Sequence, residues 1–209
     1  MIGNGSRSEY IMSFSAGALL QEETMRVASV YRECHDWQVT KSEVLDSNLL
    51  QARSGETTRR LLREISGRLE TLTEDQILLL CNGRPDDQKQ LLWLAICRRY
   101  PFIREFAIEV VRERFLQLGL PVSSEDFDRF YVSKEAWHPH LGEISAQTRK
   151  KLKQILFRML REAGLMSEDG QVVGVFLSGA LIRVLAKDDA EDFNVFPVRE
   201  EDVERWAQQ

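Results

Sequence analysis

The 209-residue sequence predicts an all-α protein, and three observations support that prediction. Apolar residues recur at the three- and four-residue spacing of an amphipathic helix along most of the chain. Capping residues or prolines stand at the starts of these apolar runs, and glycines stand at several of their ends. Hydrophobic residues make up 43% of the chain, which is enough to form a core. The sequence therefore predicts a compact multi-helix globule of two packed helical lobes, with at most one small β-ribbon near the C-terminus.

Capping signals divide the first part of the chain into short helices. The first helix is predicted over about residues 15–35. Thr40 and Glu43 have the spacing of a capping box, which predicts a short second helix. A turn follows at 51–55, and an apolar stripe then predicts a third helix that ends near residue 69.

The next helices are predicted from a capping box and two prolines. Thr73 and Gln76 predict the start of a helix that ends at Gly83, where glycine can adopt the left-handed conformation. Pro85 and Pro101 each occupy a position typical of the first helical turn, where a missing N–H has no cost. The second of these helices is predicted to continue to a glycine at 119.

The C-terminal part predicts one strong helix and two short strands. Ser145 is a suitable N-cap for a helix over 146–163, and Gly164 is a suitable stop. Residues 170–176 and 192–198 are the only segments with credible strand character. They would form at most a two-stranded ribbon.

Domain organisation is predicted from the same capping residues, prolines and glycines. Residues 1–12 are predicted to be a flexible N-terminal extension. Residues 13–119 would form an N-terminal helical lobe with a helix-turn-helix-like element. Residues 120–209 would form a C-terminal lobe with a basic helix and an acidic tail. The seam between the lobes is predicted at Gly119–Leu120–Pro121.

The formal net charge of −5 is concentrated at the C-terminus. Residues 187–209 contain three basic and eight acidic side chains, so the charges of residues 1–186 sum to zero. An isoelectric point near 5.4 argues against a protein whose whole surface coats nucleic acid, since such domains carry a positive excess. A local basic face remains compatible with this composition.

The composition predicts a cytoplasmic protein without a membrane span. The longest apolar stretch, 172–182, has eleven residues, whereas a membrane helix needs about 20. The first ten residues are polar and lack the apolar region of a signal peptide. The cysteines show no CxxC spacing, which predicts reduced packing thiols at Cys34, Cys81 and Cys97.

Positive charge is densest on the helix predicted over 146–163. Its apolar residues cluster on one stripe, and its only acidic residue is Glu162. A helix that buries one face and exposes cations elsewhere is suited to contact phosphates. An ordinary solvated face is the alternative, and the sequence leaves it open. The candidate contacts are Arg149, Lys150, Lys151, Lys153, Arg158 and Arg161.

A second basic region follows the turn at 51–55. Two predicted helices joined by this turn have the outline of a helix-turn-helix element. The first turns of the second helix are those that would meet base edges in a major groove. A helical hairpin without any DNA contact is the alternative. The candidate contacts are Thr57, Thr58, Arg59, Arg60 and Arg63.

Catalytic and metal-binding signals are weak. His138 and His140 could supply two ligands, but no acidic or cysteine residue stands at the usual spacing, so a loop is favoured. The sequence contains no Gly-rich phosphate loop, HExxH or GxSxG pattern. We therefore expect no catalytic residues, no metal and no cofactor. The tryptophans are expected to anchor the core or the seam: Trp37, Trp93, Trp137 and Trp206.

Three blocks resemble the BrxA family of bacteriophage-exclusion (BREX) defence systems. They are MSFSAGALLQEETMRVASVY (12–31), LLQARSGETTRRLLREISGRL (49–69) and ILFRMLREAGLM (155–166). The resemblance covers the chain from Met12 onward. It implies a small, all-helical, non-catalytic component that works beside a DNA methyltransferase, a phosphatase-like protein and ATPases. It also implies DNA binding through helix-turn-helix elements.

The resulting hypothesis is a cytoplasmic accessory protein of phage defence that binds double-stranded DNA through its basic helices. On its own it is expected to be a monomer. The alternative is a protein–protein adaptor within the defence complex, with incidental DNA contact. In that alternative the basic faces and the acidic tail would dock other components of the system.

Overall fold

Eleven α-helices form the architecture of the computed structural model, which describes residues 10–14, 17–117 and 120–207. Within those residues the only β-pairing is an isolated bridge between Met166 and Val172. The all-α prediction is confirmed. The helices are Gln21–Cys34 (α1), Trp37–Asp46 (α2), Gly55–Leu69 (α3), Glu74–Asn82 (α4), Pro85–Arg99 (α5), Pro101–Phe106 (α6), Glu113–Leu116 (α7), Ser124–Glu135 (α8), Ala146–Glu162 (α9), Gly179–Ala186 (α10) and Glu200–Ala207 (α11).

Shorter helical segments complete the chain. A π-helical segment, Ala107–Arg112, joins α6 to α7, so the backbone is helical from Pro101 to Leu116. This helix ends before the predicted stop at Gly119, which lies outside the described residues. Two 3₁₀ segments occupy Pro139–Glu143 and Ala190–Val195.

Several predicted helix ends are confirmed. Pro85 and Pro101 lie in the first turns of α5 and α6. The Ser145 hydroxyl accepts a hydrogen bond from the Thr148 N–H at the start of α9. Gly164 follows the end of α9 with a φ of 74°, a left-handed conformation that glycine adopts without strain.

The start of α4 has the predicted capping box. The Thr73 Oγ1 accepts from the Gln76 N–H at 3.3 Å, and the Gln76 Oε1 accepts from the Thr73 N–H at 3.1 Å. We expect Thr73→Ala to lower the free energy of unfolding by about 1 kcal/mol, because one N–H at the helix start loses its acceptor. Urea denaturation measures this change, and Thr73→Ser should retain most of the stability.

The predicted start of α2 is wrong. The helix begins at Trp37, because the Asp36 carboxylate accepts from the Gln38 and Val39 N–H groups at 2.7 and 3.0 Å. Thr40 is therefore buried inside the helix, where its hydroxyl donates to the Asp36 carbonyl. A stronger N-cap earlier in the chain explains the correction.

Two other local predictions are also corrected. The first helix begins at Gln21, after Leu20 in a left-handed conformation, while Ser15 lies outside the described residues. Gly83 is extended with a φ of −77° rather than left-handed. A Cβ at this position would lie 2.5 Å from the Leu79 carbonyl oxygen, so close backbone approach is what requires glycine here.

Neither predicted strand forms. Residues 190–195 make a 3₁₀ turn whose start is capped by the Asp189 carboxylate, which accepts from the Glu191 N–H. Trp93 on α5 donates its indole N–H to the Val195 carbonyl at 2.9 Å. This tertiary contact satisfies a backbone group that a β-ribbon would otherwise have paired.

The core runs through both predicted lobes. The buried apolar residues of the described chain, from Tyr10 to Val198, form one cluster in space, and α10 packs against α4. Tyr10 is itself buried, although it falls in the predicted flexible extension, whose residues 1–9 lie outside the described residues. The division at 119 and 120 remains a prediction. Among the tryptophans Trp93 is fully buried, whereas Trp137 is 67% exposed and does not anchor the core.

Candidate nucleic-acid interface

The α9 helix is fixed by its apolar face. Leu152, Leu156, Met159 and Leu160 are buried, while Lys150 and Lys151 are exposed near the N-terminal end. This is the amphipathic division that the sequence predicts. The cationic side of α9 therefore lies at the surface.

The cationic side of α9 and the start of α8 together line a groove of about 630 Å³. Phe157, half-buried and near Phe106 of the core, contributes its aromatic surface. Gln154 contributes an exposed amide. We call this space the α8–α9 groove. Its lining residues are Ser124, Asp128, Ala146, Arg149, Lys150, Lys153, Gln154, Phe157 and Arg161.

A second capping box holds the start of α8. The Asp126 carboxylate accepts from the Ser123 N–H at 2.8 Å and pairs with Arg114 and Arg129 at 2.5 Å. Burial alone would raise the pKa of Asp126, but these hydrogen bonds outweigh it and lower the pKa to about 2. Because the pKa is lowered on folding, the resulting stabilisation is present above about pH 4 and is lost as the pH falls towards 2.

Asp128, one turn into α8, pairs with two of the predicted phosphate contacts. Its carboxylate lies 2.7 Å from the Lys153 Nζ and 3.3 Å from the Arg149 guanidinium. Arg149 also lies over the Tyr131 ring at 4.2 Å, and Lys153 lies 5.8 Å from the centre of the Phe127 ring. Both cations are therefore positioned by an ion pair and an aromatic face.

The other basic residues of α9 differ in their pairing. Arg158 pairs with Glu162 at 2.7 Å, and Arg161 lies 3.5 Å from Glu168. Within the described part of the chain, Lys150 and Lys151 have no ion pair. The charge that the sequence assigns to this helix is thus partly neutralised by neighbouring elements. Sequence reasoning missed Asp128 because its partners lie on a different helix.

The second basic region presents its arginines on the surface. Ser54 caps α3 by accepting from the Thr57 N–H, which fixes the first turn. Thr57 is half-buried and Thr58 is only 4% exposed, with its hydroxyl donating to the Ser54 carbonyl. Thr58 therefore serves the helix start, and we leave it out of the contact surface. The exposed cations are Arg59, Arg60 and Arg63, which we call the α3 patch.

The connection between α2 and α3 is longer than in a strict helix-turn-helix. Residues 47–54 separate the two helices, whereas such turns usually have about three or four residues. Asn48 and Gln51 adopt left-handed backbone conformations within this connection. The two helices pack against each other and against α1. The structure therefore shows two packed helices joined by an eight-residue connection, and a helix-turn-helix element remains a prediction.

A short segment links α3 and α9 although they are far apart in sequence. The Leu19 N–H donates to the Glu162 Oε2 of α9 at 2.8 Å. The adjacent Ala18 carbonyl accepts from the Arg68 Nη1 of α3 at 2.8 Å. We call Ala18–Leu19 the junction segment. It places the C-terminal ends of both basic helices beside the same two residues.

A buried polar network supports this junction. Arg68 is 1% exposed and pairs with Glu64 at 2.7 Å, while the Tyr100 hydroxyl donates to the same carboxylate at 2.7 Å. Burial and the nearby Glu64 charge raise the pKa of Tyr100 to about 12, so the hydroxyl stays protonated as a donor. Through these bonds the buried face of α3 is attached to Ala18 and to Tyr100.

The acidic C-terminal region is part of the fold rather than a free tail. Asp192 is 1% exposed and pairs with both Arg98 and Arg104. Asp188 pairs with Arg98 at 2.5 Å. Burial alone would lower the pKa of Arg98, but the hydrogen bonds to Asp192 and Asp188 raise it, so the guanidinium remains charged. The exposed acids that remain on α11 are Glu200, Glu201 and Glu204.

Other candidate sites contribute little chemistry. In the ranges that the structure describes, no group of three or more His, Cys, Asp or Glu residues could hold a metal ion. His138 stacks on Tyr10 at 3.9 Å, and the Tyr10 hydroxyl donates to Glu105. Cys97 is buried, and burial raises the pKa of its thiol well above the ordinary value, whereas Cys34 and Cys81 are only half-buried. No described helix is both long and apolar enough to cross a membrane.

The fold and the groove define an all-helical protein with two exposed basic regions. The chain belongs to the BrxA family, whose model matches residues 8–189. It is 28% identical to a BREX protein BrxA of Escherichia coli O9:H4 (strain HS) over 155 residues, which cover 74% of this chain and 73% of the relative. It is 24% identical to a BREX protein BrxA of Bacillus cereus (strain H3081.97) over 126 residues, covering 60% and 63%.

A solved structure shares the fold. The crystal structure of an uncharacterized protein from Magnetospirillum magneticum superposes with a TM-score of 0.79. The match covers 91% of this chain and 100% of that protein at 19% identity. At this identity the likeness concerns the fold alone.

Proposed function

We propose that this protein is a non-catalytic, DNA-binding accessory component of a BREX-type phage-defence system. The assignment to the system is supported by family membership and by two relatives described as BREX proteins. The observation that carries DNA binding is the exposure of unpaired cations on two helices that are held in fixed positions. Double-stranded DNA is the proposed ligand, and the methyltransferase, phosphatase-like and ATPase components of the system are the proposed partners.

The contact surface consists of cations that do not already pair with carboxylates. Lys150 and Lys151 provide one part of it, and the α3 patch provides the other. A lysine or arginine without a carboxylate partner can neutralise a phosphate and release its counterion. Arginine and lysine without a matching set of Asn or Gln favour backbone contact over base readout, so sequence preference should be slight.

The decisive variant is Lys150→Glu/Lys151→Glu. It should weaken binding to a DNA duplex by about tenfold or more, and the plot of log K against log salt concentration should become shallower by about 2. Fluorescence anisotropy at several salt concentrations measures both quantities. The residues are exposed and unpaired, so thermal stability should not change.

A matched control reverses two charges elsewhere. Arg183 on α10 and Arg199 before α11 are exposed and form no ion pair with any described residue. Arg183→Glu/Arg199→Glu should affect DNA affinity much less than the α9 variant. If the two variants lost DNA affinity equally, the loss would reflect the change in net charge and not contact by Lys150 and Lys151. A salt-independent affinity of the unaltered protein would contradict the proposal.

The adaptor alternative draws less support from the structure. Two acids of the region that would dock a partner, Asp188 and Asp192, already form ion pairs with Arg98 and Arg104. Deleting residues 187–209 would also remove the buried Phe193 and Phe196, so it cannot test docking cleanly. Neutralising Glu200, Glu201 and Glu204 to glutamine is the appropriate test, read out by co-purification with other components of the system.

A further inference from the structure

The α8–α9 groove has the size and lining of a small-ligand site. Its volume of about 630 Å³ lies within the range of about 300–1,000 Å³ that is usual for such sites. Phe157 supplies an apolar aromatic surface, and Gln154 supplies an amide. Arg149 and Lys153 supply two convergent positive charges beside them. This combination is suited to a ligand with one anionic and one flat apolar part.

The two inner cations of the groove already hold an anion. Asp128 presents its carboxylate to the Lys153 Nζ at 2.7 Å and to the Arg149 guanidinium at 3.3 Å. Carboxylates and phosphates are bound by the same charged donors, so Asp128 occupies a position that a phosphate oxygen could take.

Asp128, Arg149 and Lys153 differ in how far their side chains are exposed to solvent. The Asp128 side chain is 45% exposed, whereas those of Arg149 and Lys153 are 26% and 20% exposed. The rings of Tyr131 and Phe127 lie beside the two cations. Rotation of Asp128 towards solvent would therefore leave two positioned cations facing the groove. Ion pairs whose carboxylate is open to solvent contribute little to stability, so the exchange has a small cost.

We propose that the α8–α9 groove binds a nucleoside phosphate by exchange, with the phosphate displacing Asp128 from Arg149 and Lys153. The sugar or base then lies against Phe157, since aromatic rings stack on any base. The inference rests on the proposed function in that DNA is one source of the nucleotide unit. A free nucleotide is the other source, and the experiment separates the two.

The first test is Asp128→Asn, which keeps the shape of the side chain and removes its charge. Thymidine 5′-monophosphate should bind this variant about 3- to 10-fold more tightly than the unaltered protein, because no internal anion competes. If duplex DNA also uses the groove, its affinity should rise and its salt dependence should steepen by about 0.9 for the one added phosphate contact. Calorimetry serves for the nucleotide and anisotropy for the duplex.

The matched control is Glu204→Gln, which removes the same charge from an exposed position on α11. It should leave nucleotide binding unchanged. Phe157→Leu tests the apolar part independently: it should weaken thymidine 5′-monophosphate several-fold and leave inorganic phosphate unaffected. If Asp128→Asn binds the nucleotide no better than Glu204→Gln does, or if Phe157→Leu weakens phosphate and nucleotide equally, the proposal is overturned.

The outcomes for the groove and for the proposed function are distinguishable. Nucleotide binding that tightens in Asp128→Asn, together with no binding of duplex by any variant, supports the groove as a free-nucleotide site and overturns DNA binding. Duplex binding that requires Lys150 and Lys151 but does not respond to Asp128→Asn, with no nucleotide binding, overturns the groove and leaves the DNA interface intact.

Discussion

Replacing Asp192 with alanine should lower the free energy of unfolding by about 3–5 kcal/mol. Asp192 is 1% exposed, and its carboxylate is the shared partner of Arg98 and Arg104. Without it, two poorly hydrated guanidinium groups would face each other, with Asp188 at the margin of the cluster as the remaining carboxylate partner of Arg98. The hydrogen bonds from Arg98 to the Thr71 carbonyl and the Gln76 Oε1 would remain, but neither acceptor is charged. Removing one member of a buried ion pair is far more costly than losing a surface pair. Urea denaturation with an unchanged m value measures this effect.

The control for this prediction is a nearby acid of the same charge. Glu191 is exposed, and among the described residues its carboxylate accepts only from the Asn194 amide in the same turn. Glu191→Ala should change stability by no more than about 0.5 kcal/mol. Similar losses for the two variants would show that Asp192 acts only through the local turn and that the cluster does not hold the C-terminal segment to the helices.

Arg68→Met should have an effect of the same size, about 3–5 kcal/mol. The substitution keeps most of the side-chain volume but leaves the buried Glu64 carboxylate with the Tyr100 hydroxyl as its remaining partner. It also removes the donor to the Ala18 carbonyl, so the junction segment loses its attachment to α3. Thermal and urea unfolding measure the loss of stability.

A second substitution separates the charge from the packing. In Arg68→Met/Glu64→Gln the buried group is neutral, and the Tyr100 hydroxyl can still donate to the glutamine oxygen. The double variant should therefore be more stable than Arg68→Met alone, because an uncompensated buried charge costs more than a neutral polar group. A double variant that is less stable than the single one would contradict this account.

The helices were predictable where their ends are set by local chemistry. The Thr73 and Ser145 caps and the two prolines depend on neighbours within a few residues, so sequence spacing was sufficient. The start of α2 was mispredicted because two plausible caps, Asp36 and Thr40, compete within one turn and the spacing alone does not rank them. Local chemistry thus predicts that helices exist better than it predicts their first residues.

The electrostatics of the candidate interface could be predicted only in part. The basic face of α9 follows from helical periodicity, but its partner Asp128 comes from α8, and no local pattern indicates that contact. The acids of residues 187–209 resemble a solvated tail in the sequence because eight acidic side chains stand there against three basic ones. The burial of Asp192 among them depends on Arg98 and Arg104, about 90 residues earlier. Pairings over such distances arise from tertiary packing.

The junction segment has a consequence for any ligand long enough to reach both basic helices. Because the Ala18 carbonyl and the Leu19 N–H belong to one planar peptide group, a single rigid unit is hydrogen-bonded to both α3 and α9 near their C-terminal ends. Once one helix is engaged, contact with the other becomes intramolecular, and its effective concentration is set by fixed geometry instead of linker length. A ligand that contacted the basic residues of both helices would then be bound bivalently, at a spacing set by the packing of the fold, to which the bonds to Ala18 and Leu19 contribute at the C-terminal ends of the helices.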